Sequence, residues 1–333
     1  FEADSLDLEQ VLKDVSAHEF FHIVTPLNIH SEEIGNFDFN QPVMSEHLWL
    51  YEGMTEYAAH HVQVKEGLIT VDQFLQTMQD KMLNAQDYYN DTLPFTRMSK
   101  GCLDKYKTQY NNVYEKGALI GMCLDILLRY NSNGRYGTQD LMADLSRSYG
   151  KETAFRDDEL FSKITSLTYP SIGEFLNKCV SGNEKLPFAD VFKKVGFNYL
   201  EKKQSEEITL GDFDLGYNPV SERLVVEGTF NLNEFGKKMH YKDGDEFVTF
   251  NGEKLTLSNA REVFENFLAN AKENALLTVE VMRRNKKGKE SLKKLSAKVK
   301  KSKLIYRNHL EVNQEASVKE IITRNSWLGL SGR

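Results

Sequence analysis

Two histidines four residues apart, with a glutamate beside the first, stand in Val15-Ser-Ala-His18-Glu19-Phe-Phe-His22-Ile-Val-Thr-Pro26. On a helix, residues four apart share a face, so His18 and His22 can point two imidazoles at one metal ion. Glu19 sits one step round the helix, within reach of a water on that ion. Zinc suits imidazole and carboxylate ligands, and a catalytic zinc keeps three protein ligands plus a water. The ion lowers the pKa of that water, and Glu19 can take its proton. Leu8, Val11, Leu12 and Val15 recur at helical spacing before the motif, and Pro26 stops the run soon after it. Three fixed positions in five arise by chance in many chains, so the reading rests on a third ligand and a transition-state donor downstream.

Three classes of third ligand can be weighed. A histidine six residues past His22 would indicate the metzincin arrangement, but position 28 is Asn. His30 is nearby, in a loop and at no recognised spacing. An acidic residue on a following helix would indicate the gluzincin arrangement, and Glu52 in Leu48-Trp-Leu-Tyr-Glu52-Gly53 is the candidate. The plain alternative is a surface glutamate. Against it, the segment is aromatic-rich and expected to be buried, where an unpaired carboxylate is costly.

The stretch Leu48-Trp-Leu-Tyr-Glu52-Gly53-Met-Thr-Glu-Tyr57 resembles the Glu-Gly helix of the aminopeptidase N type of gluzincin. The resemblance implies that Glu52 is the third zinc ligand. The 29 residues between His22 and Glu52 exceed the usual gap. His-Glu-Phe-Phe-His followed by such a loop is similar to the glycyl aminopeptidase family, whose members carry a PDZ domain after the catalytic domain. Asn112-Val113-Tyr114-Glu115-Lys116-Gly117-Ala118-Leu119 resembles the Tyr-x-Lys-Gly-Ala element of the same clan, in which the Tyr hydroxyl points at the tetrahedral intermediate. A phenol can donate a hydrogen bond to the developing oxyanion, so the resemblance gives Tyr114 that role. Taken alone it reads as a core tyrosine at a helix start. In related gluzincins an acidic residue four after the ligand Glu hydrogen-bonds a ligand His, which gives Glu56 a supporting role. A solvent-facing Glu56 is the alternative. His60 and His61 read as packing or surface residues.

The elements that must position these groups can be read coarsely. Residues 27–47 read as a loop, punctuated by Gly, Asn and Pro. Residues from about 48 suit a helix ending near Gly67. Further helices are expected at roughly 70–88, 112–130, 138–149, 158–166, 171–179 and 187–195. The character changes near Gly196. Leu224–Gly228 and Phe247–Leu255 read as strands with an Asn251-Gly252 turn. Asn259 and Glu262 look like a capping box opening a helix through about Ala269. Leu276–Met282 reads as a strand, with Leu292, Leu295 and Val299 in a last one. Tyr241-Lys-Asp243-Gly244-Asp245 with Asn251-Gly252 resembles the paired strands of PDZ domains, which bind peptide ends by adding a strand to a sheet edge. Leu210–Tyr217 is the candidate carboxylate-binding loop. Eleven Lys or Arg and one acidic residue, Glu290, lie between Arg283 and Lys303; they read as a solvated edge, with a docking patch for an anionic partner as the alternative.

With 333 residues, 40% of them hydrophobic and 27% charged, the chain has the make-up of a globular protein of two domains. No apolar run approaches a membrane span. The net charge of −7 gives no reason to expect a nucleic-acid partner. Cys102, Cys123 and Cys179 are odd in number and widely spaced, so they form neither a disulfide framework nor a cysteine zinc site. The zinc-binding helix begins almost at Phe1, with no Met and no signal peptide, which points to an N-terminally truncated chain. The resemblance implies an upstream β-rich domain and the first half of the catalytic domain, including the strand that holds substrate.

The expectation is therefore a mainly α catalytic region, the helical half of a thermolysin-like domain, over 1–195. An α+β PDZ-like domain follows over 196–303, with a tail over 304–333. The expected function is that of a zinc metallopeptidase of aminopeptidase type, weakly active or inactive as this fragment alone. Its metal ligands would be His18, His22 and Glu52, its general base Glu19 and its oxyanion donor Tyr114. Its partners would be a peptide or protein substrate and a peptide ligand of the PDZ-like domain. The alternatives are a non-catalytic peptide-binding scaffold and a metal-dependent hydrolase of non-peptide substrates.

Overall fold

The computed structural model describes residues 5–330. Phe1, where the sequence reading places a truncation, lies outside them. The chain divides into two compact units, Phe1–Glu201 with Arg307–Arg333, and Lys202–Tyr306.

The first unit opens with helix α1 (Ser5–Phe21) and the short α2 (Glu32–Gly35). A π turn over Trp49–Gly53 runs into α3 (Met54–Glu66), followed by α4 (Val71–Tyr88) and α5 (Phe95–Lys100). A 3-10 turn, Lys107–Val113, precedes α6 (Lys116–Asn131). Then come α7 (Thr138–Ser148), α8 (Leu160–Leu167), α9 (Pro170–Phe175) and α10 (Phe188–Lys193). Local chemistry sets several of these limits. Thr70 caps α4 reciprocally with Gln73, at 3.1 and 2.8 Å. Gly67 ends α3 in the left-handed region, where a side chain would be strained. The unit is built round α6: Ala118, Leu119, Ile120, Met122, Cys123, Leu124, Ile126 and Leu128 are all buried. A helix apolar on every side belongs in a core.

The stripe Leu8, Val11, Leu12 and Val15 lies on a helix, as its spacing predicts, but it is not the buried face of α1; all four are more than half exposed. The face toward α3 is polar: Gln10 meets Gln63, Asp14 meets Gln63 and His60, His18 meets Glu56, and His22 meets Glu52. Each step along α1 is matched by a step back along α3, so the two helices run antiparallel. The expected single helix from about 48 to Gly67 instead begins with the π turn, whose hydrogen bonds span one residue more than those of an α-helix, which changes the direction of the side chains it carries.

The second unit holds β2 (Asp214–Asn218), β3 (Arg223–Gly228), α11 (Glu234–Met239), β4 (Glu246–Phe250), β5 (Glu253–Lys254), α12 (Ala260–Asn270), β6 (Leu276–Arg284) and β7 (Glu290–Lys298). The sheet order is β2-β3-β4-β6-β7, with β5 beside β4, and every pairing is antiparallel. Alternation in β6 puts Leu277, Val279 and Val281 on the core with Val226, Phe235, Phe247 and Phe250. Asn251 and Gly252 both have positive φ, the tight turn their pairing signals. Asn259 makes no cap to α12; its side chain instead accepts from the Thr256 amide and hydroxyl.

Two strands outside that sheet, β1 (Phe197–Ile208) and β8 (Lys301–Val312), pair with each other. Neither alternates cleanly in hydrophobicity, and both escaped the sequence reading. The last helix, α13 (Val318–Leu328), belongs to the first unit. Ser317 and Glu320 form its capping box. Trp327 is fully buried and donates from Nε1 to the Tyr57 hydroxyl at 2.9 Å. Tyr57 in turn donates to Asp125 at 2.8 Å, and Asp125 is paired with Arg129 at 3.0 Å.

Candidate metal centre

His18 and His22 lie at the end of α1 and just beyond it, and Glu52 lies in the π turn that opens α3. One ligand atom from each falls within 4.8 Å of the others, and they form the one such group among the described residues. Glu52 Oε2 is 3.3 Å from His18 Nε2 and 3.7 Å from His22 Nε2. The other nitrogen of each ring is occupied. His18 Nδ1 donates to Glu56 Oε2 at 2.8 Å, and His22 Nδ1 donates to the Thr25 carbonyl at 2.9 Å. With both Nδ1 atoms used in this way, the Nε2 atom of each ring is the one left facing Glu52. Two imidazole nitrogens and a carboxylate oxygen make a donor set that fits a zinc ion with a position left open.

The electrostatics favour a cation. Asp14, Glu52 and Glu56 against Lys81 leave two negative charges when the histidines are neutral. Burial works to lower the His18 pKa, but the Glu52 and Glu56 carboxylates outweigh it and push it up to about 9. Burial raises a carboxyl, yet His18, His60 and Lys81 hold Glu56 well below the usual range. His60 donates to Glu56 Oε1 at 3.1 Å and lies 3.4 Å from Asp14. It is thus buried within the polar set that supports His18.

Tyr114 lies between the 3-10 turn and α6, its ring centroid 5.7 Å from that of His18. Burial, then the nearby Glu52 charge, raises its pKa, so the phenol keeps its proton. Glu19 is on the last turn of α1 with its side chain exposed. His30 and Glu46 are not in the group with the two imidazoles; His30 packs against Gly35 and the Glu46 amide donates to Asp157. His61 sits apart, stacked on Tyr57 and bonded to the Trp327 carbonyl at 2.6 Å.

Two glycines bring the elements together. A Cβ on Gly53 would lie 2.5 Å from the Gly117 carbonyl carbon, and one on Gly117 would lie 2.9 Å from Gly53 Cα. The turn carrying Glu52 therefore touches the start of α6, just after Tyr114, backbone to backbone. Sequence reasoning missed Lys81. Its signal was a lysine on the buried stripe of α4 that also holds Phe74, Met78, Met82 and Ala85.

The family described as M61 glycyl aminopeptidase matches residues 11–120, which carry α1 through the first turns of α6 and hence every group named at this centre. That match supports a peptidase. A crystal structure of an aminopeptidase N family protein from Idiomarina loihiensis is similar at 19% identity with a TM-score of 0.54. The likeness covers 98% of this chain and 56% of that one, so the chain spans little more than half of that protein and shares its fold over that length. No curated protein matches the sequence.

Proposed function

We propose that this chain carries the metal centre of a zinc-dependent metallopeptidase of the gluzincin type, acting as an aminopeptidase. The observation that carries the reading is the convergence of His18, His22 and Glu52 within 4.8 Å. His18 and His22 would hold zinc through Nε2, and Glu52 through Oε2. Bound zinc supplies a Lewis acid for a substrate carbonyl and acidifies a water. Glu19 takes the proton from the attacking water and returns it to the leaving amine. Tyr114 donates a hydrogen bond to the carbonyl oxygen as negative charge grows there. Glu56 and the Thr25 carbonyl fix the two rings by their Nδ1 atoms. In the second unit, β2 is an edge strand that pairs, among the described residues, with β3 alone, which supports reading that unit as a PDZ-like domain open to an added peptide strand.

Metal analysis with a Glu19→Gln variant tests the proposal. Near-stoichiometric zinc is expected in both proteins, with hydrolysis of aminoacyl and peptide substrates falling by about 100-fold or more in the variant. Folded protein that binds no zinc would sink the reading and favour a peptide-binding scaffold. Zinc-loaded Glu19→Gln within a few-fold of wild type would remove Glu19 from the mechanism.

A further inference from the structure

Lys81 is a charge in a place that seldom tolerates one. It is 8% exposed, in the middle of α4, on the face that buries Met78 and Met82. Its ammonium donates to Glu56 Oε1 at 2.7 Å and to the Tyr114 carbonyl at 3.2 Å. The other oxygen of Glu56 accepts from His18 Nδ1 at 2.8 Å. One cation thus bridges three segments: α4, α3 and the turn that presents Tyr114.

We propose that Lys81 is a positioning residue of the metal centre. It holds Glu56 so that the carboxylate fixes the His18 ring with Nε2 turned toward the metal, while the Tyr114 carbonyl anchors the ammonium. This rests on the metallopeptidase reading above. Without Lys81, Glu56 Oε1 keeps only His60, and a half-buried carboxylate loses its nearest strong counter-charge. The carboxylate is then free to turn toward solvent or toward His60, and His18 loses its orienting acceptor. A plain structural salt bridge would affect stability and leave the His18 hydrogen bond as it was.

The test uses the full chain and a Lys81→Met variant, which keeps the shape and removes the charge. In metal-free protein, the His18 Nδ1 proton should give a slowly exchanging NMR resonance, and Lys81→Met should lose it while the rest of the spectrum stays folded. Zinc affinity, measured by chelator competition, should fall by about 10- to 100-fold. A folded Lys81→Met with the resonance and the affinity intact overturns the proposal. Wild-type protein that binds no zinc overturns the metallopeptidase reading, and the resonance still decides the role of Lys81. Should Lys81→Met fail to fold, Glu56→Gln is compared with Glu56→Gln/Lys81→Met. Equal zinc affinity shows that Lys81 acts through Glu56; a further loss of about 10-fold in the double variant would show that it does not.

Discussion

Tyr114 can serve an oxyanion only while it carries its proton, and burial together with the Glu52 charge keeps it there. Removing one such donor costs about 100- to 1,000-fold in turnover. Tyr114→Phe is therefore expected to lower kcat by that factor in zinc-replete protein with its zinc content unchanged. A variant as fast as wild type would return Tyr114 to the status of a packing residue. At this scale much was legible. Helical spacing put His18 and His22 on one face, and the family resemblance singled out Glu52; the structure brings these three side chains together. Lys81 was missed, because a lone lysine in an amphipathic helix ordinarily marks its solvent face, although its spacing from Phe74, Met78, Met82 and Ala85 puts it in phase with the buried stripe.

Between elements, the contact of Gly53 with Gly117 sets how closely Glu52 approaches Tyr114. Gly53→Ala would force a methyl group into backbone, which has no rotamer with which to yield. Overpacking of this kind costs about 1–3 kcal/mol. Thermal melts should show that loss, along with weaker zinc binding as the π turn shifts. An unchanged melting curve would mean that the two segments separate without cost. The sequence showed both glycines but not that they touch, because they are far apart in the chain.

The packing of α3 on α6 and α13 carries a pH dependence. His61 is fully buried, facing Asp125 and Arg129 on α6, the Trp327 carbonyl on α13, Tyr57 on its own helix and Lys65 one turn on. Burial lowers its pKa to about 4 against the partial opposition of Asp125. The unfolded chain, with an ordinary value near 6.5, takes up the proton first as pH falls. Stability from this group is complete above about pH 6.5 and drains away toward about pH 4, by on the order of 3 kcal/mol. Denaturant midpoints across that range, compared with those of His61→Gln, should show a steeper acid decline for wild type. Parallel curves would sink the assignment.

At the scale of the molecule, α13 is part of the helical unit's core and not an appendage. Trp327→Ala would open a cavity beside Phe74 and Phe192 and strand the Tyr57–Asp125–Arg129 set, at a cost of about 3–5 kcal/mol. Chemical denaturation would read that loss, and a change under 1 kcal/mol would show that the helix only rests on the surface. The helical first part and the mixed second part were both readable from the period of their apolar residues. The strands β1 and β8 were not. Their residues, such as Glu201-Lys-Lys-Gln-Ser-Glu-Glu207, are mostly charged or polar, and their pairing joins positions about a hundred apart. The helix α13 was not read either, although Ser317 and Glu320 form a local cap at its start.

The polar seam between α1 and α3 works as a keyed lock. An oily seam can slide by a fraction of a turn and still bury grease against grease. Here, four successive teeth of amide, carboxylate and imidazole find their counterparts at one setting only, and a slip of one residue unmeshes them all together. The helix is therefore either home or adrift. The proposed donor atoms of His18, His22 and Glu52 lie at the last two teeth, so an ion bound there would throw the bolt for the whole seam.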